Sequence, residues 1–427
     1  MRRVFLTLIA LSAATTLPAS AEPLTAEGAV RIALQHSPAL VQASAAVDGA
    51  SAGLWGAYSG VLPRISGAAS RSGSATDPPY VYSHGNSGGI SGSWSVLSLS
   101  NWASLAGARA GMSAARLDRA AARADVILGT KSQFYEVVKA MHLARVSGQA
   151  LRLSRDDERR VRALFEVGSV SKSDLLQAQV RTSQSELDSL LADHAVFAQR
   201  ITLARQLGVS EESLGEVDST LTATAMAVDA AAVLADARSL RPDVRAAQAG
   251  LRSAEFGMRA AQLARLPELS ADASWSASHP GVPAADLSSP GSFIERDWSH
   301  TKRGTVSLSM PLFDLGVESG VARARSSLRS ARESRDAVLR NLDGEVRQVL
   351  LLYREATERE ALARRTIESA SENLNLIQQK YNVGSATILD LIASQVQYQG
   401  AQNDLVTALA AMRVAEASID RVRGRSE

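Results

Sequence analysis

Two stretches decide how this chain is read: FEVGSVSKSDL at residues 165–175 and YNVGSATILDL at residues 381–391. They align at an offset of 216 residues. Each runs from an aromatic residue through Val-Gly-Ser to a hydroxyl residue, with Asp-Leu following. Each reads as the end of one helix and the start of the next. Gly168 and Gly384 suit helix C-caps, where left-handed backbone favours glycine. Ser171-x-x-Asp174 and Thr387-x-x-Asp390 are capping boxes that start the returning helices.

The matches continue outward. Gln179-Val180 pairs with Gln395-Val396, and Ala108-Arg109 with Ala324-Arg325, all at 216. Upstream, Ser37-Pro38-Ala39-Leu40 pairs with Arg241-Pro242-Asp243-Val244 at an offset of 204. Leu62-Pro63-Arg64-Ile65-Ser66 pairs with Leu266-Pro267-Glu268-Leu269-Ser270 at the same 204. The difference of 12 places an insertion in the second half, most simply in loop 279–304. A period this long is a duplicated domain, not a short solenoid repeat. The expected organisation is a signal peptide at 1–21, a first repeat at 22–220 and a second at 221–427.

Within each repeat the order is helix, two strands, long helix, sharp turn, helix. No proline occurs between Tyr80 and Arg241 or after Pro311. Proline costs about 3 kcal/mol in a helix interior, so these Ala/Leu/Arg/Glu/Gln-rich tracts are expected to be long helices. Val321, Ala324, Leu328, Ala331, Val338, Leu342, Val349, Leu352 and Ala356 follow mostly three- and four-residue steps or their multiples, broken at Arg335 and Glu345. A period near 3.5 means helices that coil around neighbours. The strands alternate instead. In 269–277 the odd positions are mostly apolar; in 305–312 the even ones are. The first repeat gives Ile90 to Val96, then a phase slip to Leu97 and Leu99 that suggests a bulge. The expected strands are about 63–76, 88–100, 266–278 and 304–314, with tip turns at about 167–173 and 383–387. Loops 77–88 and 279–304 would join them into two hairpins.

The first residues are an address. Met1-Arg2-Arg3 is basic, Val4 to Ala14 is apolar, and Ala19-Ser20-Ala21 is a small-x-small cleavage signal. The apolar run is shorter than the roughly 18–20 residues that span a bilayer. Glu22, not Cys, follows the cleavage point, so no lipid anchor is expected. Loss of Arg2 and Arg3 leaves 44 basic against 44 acidic residues, with no electrostatic footprint for nucleic acid. The 427 residues hold no Cys and only 4% aromatics. Disulfide scaffolds, thiolate catalysis and zinc-thiolate sites are excluded, and a large aromatic core is not expected. The six histidines lack metal-ligand spacing, and no nucleophile motif surrounds any Ser, so no catalytic residue, cofactor or metal is expected. The clusters 155–160 and 354–360 read as solvated helix faces with i,i+4 ion pairs.

Four short amphipathic strands cannot close a membrane barrel alone, since such barrels need about eight or more. The strands therefore form either a soluble sheet or a barrel shared between subunits. Trp94, Trp102, Trp275 and Trp298 lie in or beside the strands, where an interfacial aromatic girdle would sit.

With these elements in order, the mature chain resembles the TolC family of outer-membrane efflux proteins. The resemblance rests on the duplicated order and on the two Val-Gly…Asp-Leu signatures. It implies a mainly α fold with a transmembrane β part: a homotrimer whose twelve strands form one barrel, continued by a long α-helical periplasmic barrel. It implies an outer-membrane location with a large periplasmic part, in contact with outer-membrane lipid. The partners it implies are a periplasmic adaptor (membrane fusion protein) and an inner-membrane RND pump or ABC exporter. The chain itself would be a passive, non-enzymatic duct for efflux or type I secretion. By this resemblance Tyr381, Ser173 and Asp174 link neighbouring helices in the closed tip, and Asp390 lines the narrow entrance. The turns Val167-Gly168-Ser169 and Val383-Gly384-Ser385 would dock the adaptor. Two departures stand out. A basic residue expected two positions after Gly384 is Ala386, and a second entrance acid one turn after Asp390 is Ala393. One closing ion pair is then missing, and Lys172 is a candidate substitute cation. The competing reading, a periplasmic coiled-coil adaptor or scaffold, accounts for the signal peptide and heptads but not for the duplicated hairpins and their tryptophans.

Overall fold

The computed structural model describes residues 23–76, 81–222, 226–279 and 298–425, with side chains over 74–76 and 81–84 left aside. The expected signal peptide and most of the expected insertion lie outside the described residues. In chain order the elements are α1 (Ala26–His36), α2 (Pro38–Ser59), β1 (Arg64–Thr76), β2 (Val81–Leu97), α3 (Leu99–Glu166) and α4 (Lys172–Leu207). Then follow α5 (Ala230–Leu240), α6 (Pro242–Leu263), β3 (Glu268–His279), β4 (Ser299–Ser309), α7 (Leu315–Asn382) and α8 (Ile388–Arg423). The counterparts have equal lengths: 11 residues for α1 and α5, 22 for α2 and α6, 68 for α3 and α7, and 36 for α4 and α8. At 1.5 Å per residue each of the longest helices extends about 100 Å. No helix among the described residues is long and apolar enough to cross a membrane.

Helix α3 is the spine. It packs on α2 and α6 in one half of its length and on α4 and α8 in the other, while α7 packs on α6 and α8. The helices thus form a layer with α2 and α4 along one margin and α7 along the other. Alanine dominates the buried contacts, with Ala356, Ala363 and Ala370 on α7 and Ala401, Ala408 and Ala415 on α8. Seven-residue spacing of small side chains lets α7 and α8 approach closely, as their coiled-coil period requires.

The four strands form one antiparallel sheet in the order β1-β2-β3-β4. A register shift between Ser95 and Leu97 marks the expected bulge. Both limits of β2 and of β4 differ from the sequence reading. β2 begins at Val81, inside the expected loop 77–88, and β4 begins at Ser299, inside the expected loop 279–304. Serine and glycine read as loop chemistry, yet a sheet held by its backbone ladder accepts them. Gly89 is needed there, because a Cβ would lie 2.8 Å from the Trp275 carbonyl of the adjoining strand. β4 also stops at Ser309, short of the expected 314: Pro311 lacks an N–H for the ladder, and Asp314 already caps α7 through the Gly316 amide. Leu99, expected in a strand, opens α3.

Midway along the helices two cores answer each other. Ala29, Ala33, Phe134, Val137, Val138, Leu203 and Leu207 join α1, α3 and α4. Val233, Ala237, Val244, Leu342, Val346 and Val422 join α5, α6, α7 and α8. Beside the second core sits an ionic hub. Arg241, 5% exposed, bonds Asp243 at 2.5 Å and Glu345 at 2.7 Å. Arg421 reaches the same Glu345 and also Asp125 on α3, at 2.8 Å for the latter. Burial disfavours the Arg241 charge, but its two carboxylate partners outweigh that and hold the guanidinium above its ordinary value. The hub ties α3, α6, α7 and α8 at one level. Asp243 and Glu345 are 36% and 33% exposed and Glu345 keeps Arg421, so losing Arg241 costs less than the roughly 3–5 kcal/mol of a fully buried pair. Arg241→Ala is therefore expected to loosen α5 and α6 by about 1–2 kcal/mol, read as faster amide hydrogen exchange there by about one order of magnitude. Unchanged exchange would show that the hub is not a fastening.

Candidate functional site

The tip is built by the two turns. α3 ends at Glu166, and Gly168 adopts φ 75°. The Ser169 amide donates to the Leu164 carbonyl at 2.8 Å, and the Gly168 amide to Phe165 at 2.9 Å. The second turn repeats this, with Gly384 at φ 77° and the Ser385 amide donating to Lys380 at 2.8 Å. These are glycine-terminated helix ends in which the orphan carbonyls find donors. Both capping boxes are present. The Asp174 amide donates to Ser171 Oγ at 3.2 Å, and the Ser171 amide donates back to Asp174 Oδ2 at 3.0 Å. The corresponding distances for Asp390 and Thr387 are 3.2 and 2.9 Å.

A small apolar cluster clamps the turns together. Val161, Ala178, Ile388 and Leu391 are buried, with Leu175, Ile377 and Tyr381 packed against them. All four helices contribute. Tyr381 is half-buried. Burial pushes its hydroxyl up, the charges of Asp157 and Asp174 push the same way, and Arg160 opposes them. The phenol is thus neutral and close to both acids, yet among the described residues no hydrogen bond joins it to Asp174. Ser173, Asp390 and Lys172 are exposed, and no ion pair holds Lys172 among the described residues. The aliphatic side chains of Val167 and Val383 stand out from the turns at 73% and 79% exposure.

The residue that sequence reading passed over is Asp157. It sits in the cluster read as a solvated face, and its neighbours behave that way: Arg159 pairs with Asp156 and Arg162 with Glu158. Asp157 instead turns toward α8, where Gln395 Nε2 donates to its Oδ2 at 2.6 Å. Burial raises its pKa, partly offset by Gln395 and Arg160. Arg181 donates to Gln399 at 2.9 Å, a second polar link from the first helical hairpin to α8. Only its place one apolar step from Val161 could have flagged Asp157.

The sheet has two unlike faces. Directly paired residues share a face, so Ile65, Ile90, Trp94, Leu269, Ala271, Ala273, Trp275, Val306 and Leu308 lie together. The opposite face is a lattice of serine, with Ser66–Ser91, Ser70–Ser87, Ser270–Ser307 and Ser278–Ser299 hydroxyls paired across strands at 2.8–2.9 Å. Of the four tryptophans, Trp94 lies near the helical end, where its indole donates to the Val61 carbonyl at 3.1 Å. Trp102 is on the opening turn of α3, Trp275 is mid-strand, and Trp298 adjoins β4 at the far end. All four are 41–54% exposed.

The cap of α8 carries a pH signature. The Thr387 amide and hydroxyl hold the Asp390 carboxylate below its ordinary value. A carboxylate depressed in the folded state stabilises it above the unfolded pKa of about 3.9, and that contribution is lost as pH falls through the folded value. Asp157, raised by burial, has the opposite sign: its protonation on acidification favours the folded tip. Thr387→Ala is expected to cost the start of α8 about 1 kcal/mol, read as roughly fivefold faster exchange of the first-turn amides at neutral pH. As pH falls below the ordinary carboxylate range the difference should narrow, because protonated Asp390 holds the Thr387 amide less well, while the Thr387 hydroxyl still accepts from the Asp390 amide. A difference that does not narrow there would contradict the carboxylate's part in the cap.

Residues 29–209 and 233–425 match the sequence profile of the outer membrane efflux protein family. Among solved structures the chain is similar to VceC of Vibrio cholerae, at 18% identity and a TM-score of 0.79 over 93% of this chain and 96% of that one. It is similar to the Campylobacter jejuni CmeC channel, at 19% identity and 0.79 over 94% and 86%. It is also similar to the open state of the Neisseria gonorrhoeae MtrE channel, at 17% identity and 0.77 over 93% and 88%. No curated protein matches the sequence. At these identities the structural likeness establishes the fold, mainly helical with a small sheet, and the profile establishes the lineage. Family membership makes this a transport protein and not an enzyme. The chain belongs to the outer membrane efflux protein family.

Proposed function

We propose that three copies of this chain form the exit duct of a tripartite efflux or type I secretion system. In this reading the duct passively conducts substrate from a pump–adaptor complex across the periplasm and outer membrane. The observation that carries it is the open, two-faced sheet: among the described residues β1 and β4 each have one edge without a strand partner. Three such sheets joined edge to edge make twelve strands, and closure leaves no backbone group unpaired in lipid. The apolar face would meet lipid, with Trp94, Trp102, Trp275 and Trp298 as interfacial aromatics, and the serine face would line the lumen.

The helical margins support the same assembly. Along α4 the side chains of Leu176, Val180, Leu187, Leu191 and Phe197 are at least half exposed, and along α7 so are Leu351, Leu352, Leu362 and Leu376. A helix hydrophobic on a second face is one that packs a second neighbour. The margin of one copy would cover the opposite margin of the next.

In this reading the tip is the periplasmic gate. Tyr381, Ser173 and Asp174 hold adjoining helix pairs together, and three Asp390 side chains ring the entrance. Ala386 and Ala393 leave that ring with one acid per chain and without its expected cation. The turns Val167-Gly168-Ser169 and Val383-Gly384-Ser385, with their exposed valines, form the surface for the adaptor. An RND pump or an ABC exporter in the inner membrane supplies the energy.

Planar-bilayer conductance tests the gate. Tyr381→Phe combined with Asp174→Ala is expected to raise the resting conductance several-fold. Ser171→Ala breaks the same cap while keeping the carboxylate, so it should leave conductance near the wild-type level. Unchanged conductance in the double variant, or an equal rise in Ser171→Ala, would remove the gating role and leave Asp174 as a cap.

A further inference from the structure

Toward the end remote from the helices the apolar face of the sheet passes into a chemically different rim, beyond which β1 and β2 run on to Thr76 and Val81. One rung there is Arg71–Asn86–His279. The next toward the helices is Ala69–Gly88–Ala277–His300, and the next is Gly67–Ile90–Trp275–Lys302. Trp275 stacks on His300 with centroids 6.0 Å apart and an interplanar angle of 12°. His279 meets Trp298 at 5.5 Å. Ala277 lies buried beneath these rings. Among the described residues this face carries no acid; the sheet's acids Glu268 and Asp272 belong to the serine face.

The heights match a membrane boundary. Leu269 to His279 is ten residues, or about 34 Å along the strand and about 26 Å vertically at a tilt near 40°. An outward apolar band in such barrels is about 25 Å tall. Arg71 therefore stands at its upper edge. Lys302 starts about 10 Å lower, opposite Trp275, and its four-carbon stem lets the ammonium rise toward that edge. β1 and β4 are the two sheet edges, so in the closed trimer Arg71 of one copy and Lys302 of the next flank the same seam.

We propose that this rim binds the phosphate groups of outer-leaflet lipid at each protomer seam, with Arg71 and Lys302 as the cations and the Trp–His pairs as the platform for the sugar or glycerol above the acyl chains. The inference rests on the barrel reading given above. Its chemistry is specific: Arg presents a bidentate fork to a phosphate, Lys a point charge, and the aromatic rings an amphipathic surface at headgroup depth. A zwitterionic lipid offers no net charge to this pair and should be held less well.

Native mass spectrometry of the detergent-purified, delipidated full-length protein tests it. The probes are a diphosphorylated glucosamine lipid and phosphatidylcholine, with inorganic phosphate as a third arm. Wild type is expected to retain the diphosphorylated lipid at least fivefold over phosphatidylcholine, undisturbed by inorganic phosphate at equal concentration. Arg71→Gln with Lys302→Gln should reduce that ratio to about one. Arg71→Lys should restore most of it, and Arg303→Gln, on the serine face, should leave it intact. A ratio that survives the double variant, or falls equally in Arg303→Gln, would overturn the rim. Bilayer conductance of the same preparations separates the two readings. A wild type that never conducts counts against the barrel. A conducting wild type without lipid preference counts against the rim alone.

Discussion

Along the outer edges of β1 and β4, backbone N–H and C=O groups have no strand partner among the described residues. Each such group costs several kcal/mol if it faces hydrocarbon unpaired. The rest of the molecule is consistent with resolving that one liability. The sheet is apolar on one side and hydroxyl-covered on the other, so it suits a wall between lipid and water. It is too short in strand number to close on itself. The helices below repeat the condition, with apolar side chains left exposed along α4 and α7 while their inner faces are packed. A protomer built this way is incomplete in the same sense at both levels.

The interior of the protomer is economical because its helices are bundled through alanine and serine. Small side chains bury little area each, so long contact and polar fastening replace a bulky core. The Arg241–Glu345–Arg421 hub ties helices at mid-length, and the Asp157–Gln395 and Arg181–Gln399 links tie them near the tip. Between hub and tip the contacts are mostly small and apolar.

Much of this was legible in the sequence because the signals are local and repeated. Gly168 with Ser171–Asp174, and Gly384 with Thr387–Asp390, encode their turns within a dozen residues, and the geometry is the one the residue types dictate. The bulge near Leu97 was visible as a slip in alternation. What escaped reading depends on distant partners. Ser83-His-Gly-Asn-Ser87 in β2 and Ser299-His-Thr-Lys-Arg303 in β4 read as loop chemistry, and only the neighbouring strand makes them a ladder. Asp157 sits in a charged run whose other members are solvated, and only the approach of α8 distinguishes it. Arg241 read as a residue before a proline, and its role follows from Glu345, 104 residues away.

The most direct measurement is the mass and outline of the detergent-extracted protein, by light scattering together with negative-stain imaging. Shared closure of the sheet predicts three chains per particle and a long hollow cylinder with a short wider collar at one end. A monomer, or a particle that stays soluble without detergent, would contradict it, because the edges of β1 and β4 would then be facing water and not each other.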